Sequence, residues 1–244
     1  MRRISFFLIV WMVLLSSMVA GESTTVLGPV KSMLVEGDNV KYEYFYSRTG
    51  VLIEEKNWLT GVVIQYDDKE RQIFAGVDGK AYKKTNYDDR KQQVETWQYY
   101  AGSKPTLIRV GKLNKEGKKL EDIANVDGER SSYYEYDQAG VLRKKIEHKN
   151  GVKSVYQYNE KEYLVLAEAF VDKSCIAREE YFVTEHGQLL RVVRTNFDTA
   201  GKQISQYEKK YEYEDFDPYG NPKKQIDYSG KQPKVKLRTF SYYE

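Results

Sequence analysis

The stretch Tyr133–Glu160, YYEYDQAGVLRKKIEHKNGVKSVYQYNE, decides how the rest of the chain is read. Across VLRKKIEH, Leu142, Lys144, Ile146 and His148 fall on one side, and Val141, Arg143, Lys145 and Glu147 on the other. That is the two-residue period of a β-strand. After a break at HKNG (148–151) the alternation resumes, and Val152, Ser154, Tyr156 and Tyr158 share a face. The breaks have their own chemistry. Asp137 can bond its own turn, and Gly140 and Gly151 accept the positive φ that tight hairpin turns require.

Working outward, the same grammar covers nearly the whole chain. QLLRVVRTNF and KQISQYEKKYEYE alternate, with Tyr207, Tyr211 and Tyr213 on a single side. Polar breaks at SRTG (47–50), DDKE (67–70), VDGK (77–80), TEHG (184–187), DTAG (198–201) and DPYGNP (217–222) divide one run from the next. Tyr, Val, Ile, Thr and Phe suit a pleated, half-buried surface. The pattern predicts an all-β, up-and-down antiparallel meander of successive β-hairpins, curled into a sheet or open barrel, with strands over more than half of the mature chain. One region reads differently. Residues 110–132 are polar, and KKLEDIANV would fit a helical turn or two, which makes this stretch a candidate long hairpin, loop or internal boundary.

Tyr136, Asp137, two spacers, Gly140, Val141 and Leu142, followed by Tyr156-x-Tyr158 in the next unit, resemble the YD repeat of Rhs and teneurin-type proteins. Weaker echoes occur at 42–56 (YEYFYSRTGVLIEEK) and 211–228 (YEYEDFDPYGNPKKQIDY). The resemblance implies hairpin architecture in an exported bacterial protein. It carries over no activity and nominates no catalytic residue.

The first residues carry an address. Arg2 and Arg3 precede an apolar run, Ile4–Leu15, and SSMVAGES supplies small residues for a cleavage site, so 1–21 reads as a signal peptide and 22–244 as a single β-repeat domain. The alternative is an uncleaved anchor, for which the run is at the short limit. Cleavage would lower the formal charge from +3 to about +1. A nearly neutral chain lacks the cationic excess of a nucleic-acid binder, and no membrane span is expected after cleavage. Cys175 is the only cysteine, so no internal disulfide can form, and the thiol is read as a quiet half-buried residue or a link to another chain.

The sequence holds little chemistry. His148 and His186 are the only histidines, and no His/Cys/Glu cluster has metal-ligand spacing. Asp215, Asp217 and Gly220 imitate the start of a calcium loop, but Tyr219 and Ile226 stand where ligands are required. No catalytic residue, metal or cofactor is expected. What remains is tyrosine, 22 copies. Tyr134, Tyr136, Tyr156, Tyr158, Tyr207, Tyr211 and Tyr213 are the candidate binding residues, an aromatic face for sugar rings or an apolar segment. The expected function is non-catalytic binding of a glycan, peptide or protein partner at the periplasmic or extracellular envelope. An assembly accessory pairing through a sheet edge is the second reading, and a small hydrolase a distant third.

Overall fold

The computed structural model describes residues 26–124 and 130–244; the expected signal peptide and residues 125–129 of the 110–132 stretch lie outside them. The strands in chain order are β1 (Val30–Gly37), β2 (Val40–Tyr46), β3 (Leu52–Asn57), β4 (Val62–Tyr66), β5 (Gln72–Val77) and β6 (Lys80–Asp88). There follow β7 (Gln93–Gln98), β8 (Thr106–Leu113), β9 (Lys119–Ala124), β10 (Arg130–Tyr136), β11 (Leu142–Lys149) and β12 (Val152–Tyr158). The last are β13 (Leu164–Val171), β14 (Ser174–Val183), β15 (Leu189–Phe197), β16 (Gln203–Phe216), β17 (Pro222–Asp227) and β18 (Lys234–Tyr242).

All belong to one 18-stranded sheet in which each strand pairs antiparallel with the next. β18 then pairs with β1, from Val30↔Tyr242 to Gly37↔Lys236, and closes the ring. The expected meander is present, and the open form of it is not. Closure also removes the edge that an assembly role would use, because β1 and β18 each have a partner on both sides. The described part of the 110–132 stretch forms the end of β8, β9 and the start of β10, with no helix among the described residues.

A single turn builds one rim. At Asp137 the backbone N–H bonds the Val141 carbonyl at 3.0 Å, and Gly140 N–H bonds the Asp137 carbonyl at 3.0 Å. The carboxylate Oδ1 accepts from the N–H groups of Ala139 and Val141, each at 2.9 Å. The same backbone bonds recur on this rim at Ser47, Asp67, Asn114, Asn159, Thr184 and Asp217, and at the opposite rim at Asp198, between β15 and β16. In each, the side-chain oxygen takes over the capping. Degenerate units therefore keep the geometry, because Ser, Thr and Asn carry the same acceptor as Asp.

After the turn the returning strand carries a bulge. Tyr136 pairs with Leu142 but Glu135 with Lys144, so Arg143 is the extra residue. Tyr46↔Leu52 and Tyr158↔Leu164 repeat the arrangement. A bulge changes which residues share a face. Leu142 consequently lies with Lys145 and Glu147, and not with Lys144, Ile146 and His148 as strict alternation predicts.

The ring has two unlike faces. Inward lie two separate apolar clusters, Val30, Met33, Val35, Tyr44 and Tyr46 at the closing seam, and Val152, Ala169, Ile176 and Ala177 opposite in sequence. About eight strands suffice for side chains to fill a barrel, whereas 16–18 enclose a channel. Outward, directly opposed ion pairs cross the strands: Glu135–Lys144 at 3.1 Å, Glu168–Arg178 at 2.8 Å, Lys112–Glu121 at 2.8 Å and Glu214–Lys224 at 2.7 Å. Each contributes little to stability. They share the outer face with exposed apolar side chains, among them Val110, Phe182, Val235 and Leu237.

Candidate functional site

Strand direction places the tyrosines. Even-numbered strands run toward the rim built by the Asp137-type turns, and the Tyr-x-Tyr pairs sit at their ends. By register, Tyr134 faces Lys145, Tyr156 faces Lys145 and Ala167, Tyr207 faces Arg194, Tyr211 faces Asp227 and Tyr213 faces Gln225. All seven expected residues lie on the inward face. They form two patches, Tyr134, Tyr136, Tyr156 and Tyr158 on β10 and β12, and Tyr207, Tyr211 and Tyr213 on β16. Between them β13 and β14 turn Ala167, Ala169 and Ala177 inward, beside the larger Glu179 and Tyr181.

The seven are not equivalent. Tyr156 is 5% exposed and donates to Glu147 Oε2 at 3.1 Å, so it is wall more than contact surface. Tyr207, at 37%, is the most open. Tyr134, Tyr136, Tyr158, Tyr211 and Tyr213 are half-buried. Tyr136 donates to the Lys119 carbonyl at 2.9 Å and Tyr213 to the Leu189 carbonyl at 3.0 Å, bonds that fix the orientation of each ring. Burial pushes Tyr134, Tyr136 and Tyr211 up to about 12 and raises Tyr156 and Tyr158 as well, so these phenols stay protonated at neutral pH.

The sequence left other members of this face unmarked. Tyr42, Tyr44, Tyr46, Tyr66 and Tyr87 continue it through β2, β4 and β6, and Tyr181 and Tyr242 through β14 and β18. Tyr46 and Tyr66 immediately precede turn residues Ser47 and Asp67, the signal that would have found them.

Charged groups share the interior. Glu179 accepts from Arg194 Nη1 at 3.1 Å and from the Tyr181 hydroxyl at 2.5 Å, and Arg194 Nε donates to Asn196 Oδ1 at 3.1 Å. Both side chains of this pair are nearly inaccessible, at 5% and 2%. Asp122 binds Arg109 at 2.7 Å and Lys119 at 3.1 Å, while burial and then the neighbouring cations Lys119 and Arg109 lower the Lys83 pKa. Arg238 Nη2 donates to Gln225 Oε1 at 2.9 Å; its Nε is buried with no hydrogen-bond partner.

The residues with other chemical prospects lie apart. His148 is outward against the edge of Tyr133, and His186 sits in a turn beside Glu185 at 3.4 Å. Cys175 is half-buried and its Sγ approaches the Ala177 carbonyl at 3.4 Å. Burial, then Glu168, raises its pKa, the opposite of an activated thiol. Asp217, the calcium-like position, caps its turn, binds Asn221 and accepts from the Tyr242 hydroxyl.

No family model matches the chain, and no curated protein matches it by sequence. The solved structures that match include two porin-like proteins. A porin-like protein from Bacteroides uniformis ATCC 8492 aligns with TM-score 0.48 and 13% identity, over 88% of this chain and 99% of its own. A porin-like protein from Bacteroides vulgatus ATCC 8482 aligns with TM-score 0.41 and 13% identity, over 88% and 98%. Likeness at this level carries no argument. The barrel stands on its own strand pairing.

Proposed function

We propose that the chain is an exported, non-catalytic β-repeat protein of the cell envelope, a closed ring of YD-type hairpin units that binds a glycan on its inward tyrosine face. The observation that carries this reading is the shared orientation of Tyr134, Tyr136, Tyr158, Tyr207, Tyr211 and Tyr213 toward the interior, half-buried except for the more exposed Tyr207, with cations over the rings of Tyr134, Tyr136, Tyr207 and Tyr213. Phenol rings stack on the apolar faces of sugars, and their hydroxyls, together with nearby Gln225 and Asn196, can bond sugar hydroxyls. The basic n-region and short apolar core of residues 1–21 support export. The opposed ion pairs on the outer face support a barrel standing in water.

A matched pair of variants tests it. Tyr207 is 37% exposed and inward, and Tyr133 is 39% exposed and outward, against Ile146 and His148. Calorimetric titration with a panel of neutral and acidic oligosaccharides is expected to find binding that Tyr207→Ala weakens about 3–10-fold, the worth of one stacked ring. Tyr133→Ala should leave it unchanged. Equal losses in both, or no binding to any oligosaccharide, would remove the reading.

A further inference from the structure

The β18 sequence KVKLRTFSY alternates the wrong way round for a packed interior. Its register sends Lys234, Lys236, Arg238, Phe240 and Tyr242 inward and leaves Val235 and Leu237 outward, 40% and 55% exposed. β16 sorts its charges likewise. Lys209 faces in with Tyr207, Tyr211 and Tyr213, while Glu208, Glu212 and Glu214 face out. Inward on β16 and β18 stand the cations Lys209, Lys234, Lys236 and Arg238, with Asp227 of β17 opposite Lys234.

Arg238 is the sharpest feature of this set. It is 7% exposed, its Nη2 has only the neutral Gln225 amide, and Nε has no partner at all. The guanidinium lies 5.6 Å from the Tyr213 ring centroid, between an aromatic face and the seam cluster, and no carboxylate among the described residues pairs with it. A buried cation without a counter-charge is costly, and an arriving anion removes that cost. The planar fork suits a carboxylate or sulfate, which accepts two parallel N–H bonds.

We propose that the wall formed by β16, β17 and β18 selects an acidic saccharide, whose anionic group is held by Arg238 with Lys236 while a sugar ring rests on Tyr211 or Tyr213. The proposal rests on the glycan reading above and adds the charge of the ligand. It places specificity in the cations and general sugar affinity in the tyrosines.

The probes are oligogalacturonate, its neutral counterpart maltohexaose, and inorganic sulfate, each titrated into the purified protein. Oligogalacturonate is expected to bind more tightly than maltohexaose and to weaken as sodium chloride rises. Arg238→Gln and the half-exposed Lys236→Gln should each cost about tenfold in affinity for oligogalacturonate, as loss of a charge-assisted bond does, and leave maltohexaose unchanged. Lys236→Gln keeps the test open if Arg238→Gln does not fold. Maltohexaose bound as well as oligogalacturonate, with Lys236→Gln without effect, would overturn the proposal and leave the tyrosine reading standing. Sulfate bound alone, with no sugar, would overturn both.

Discussion

Glu179→Ala is expected to destabilise the protein by about 3–5 kcal/mol, the usual cost of stranding a buried charge. Glu179 and Arg194 stand opposite one another on β14 and β15, with side chains 2% and 5% exposed. The substitution leaves the guanidinium with the neutral groups of Asn196 and Tyr207, and removes the acceptor of the Tyr181 hydroxyl at 2.5 Å. The double variant Glu179→Leu with Arg194→Met should be far milder, because it removes both charges together and replaces them with apolar groups of similar volume. Urea denaturation of the three proteins measures the difference. A loss below about 1 kcal/mol for Glu179→Ala would mean that lumen water solvates the pair as it would a surface salt bridge.

The second large effect concerns the turn. Gly140 has φ +76°, and a Cβ built there meets nothing nearer than Lys118 Nζ at 3.9 Å. Gly140→Val therefore clashes with no neighbour, and its expected cost of about 1–3 kcal/mol is backbone strain alone. The corresponding positions Glu70 and Glu162 tolerate φ of 57° and 60° with an unbranched side chain, which makes the β-branched substitution the stringent one. Asp137→Ala loses two bonds to backbone N–H groups and the Arg143 pair at 2.8 Å, all near solvent, and should cost about 1–2 kcal/mol. Chemical denaturation decides between the roles. A harmless Gly140→Val beside an Asp137→Ala that abolishes glycan binding would make the aspartate a site residue and end the architectural reading of the motif.

Strand pattern and turn chemistry were legible because both are local. Tyr136, Asp137 and Gly140 sit within a few residues of each other, and the geometry of their turn follows from them alone. The orientation of Leu142 was not legible, since the bulge at Arg143 arises only when the strand pairs with Glu135 and Tyr136. Ring closure was hidden for a similar reason. Nothing near Val30 announces a partner at Tyr242, more than two hundred residues away, and the Asn221 clasp on the backbone of Leu27 is equally remote in sequence. The candidate site divides along the same line. The Tyr207, Tyr211 and Tyr213 stripe follows from period two, whereas Arg238 and Lys236 gain meaning only once β18 is known to turn its cations inward.

Closure is the claim on which an interior, a tyrosine-lined face and a cationic wall all depend, and the seam offers a direct test of it. Ser32 on β1 and Ser241 on β18 are register partners whose hydroxyl oxygens lie 2.8 Å apart across 209 positions of sequence. In a protein carrying Cys175→Ser, the changes Ser32→Cys and Ser241→Cys put two thiols within reach of a disulfide. Mild oxidation should yield an intramolecular cross-link, seen by mass spectrometry as one peptide pair and by gel as a faster monomer, with no loss of strand content. Thiols that stay free, or that link only different molecules, would show that β1 and β18 do not meet and that the sheet is open.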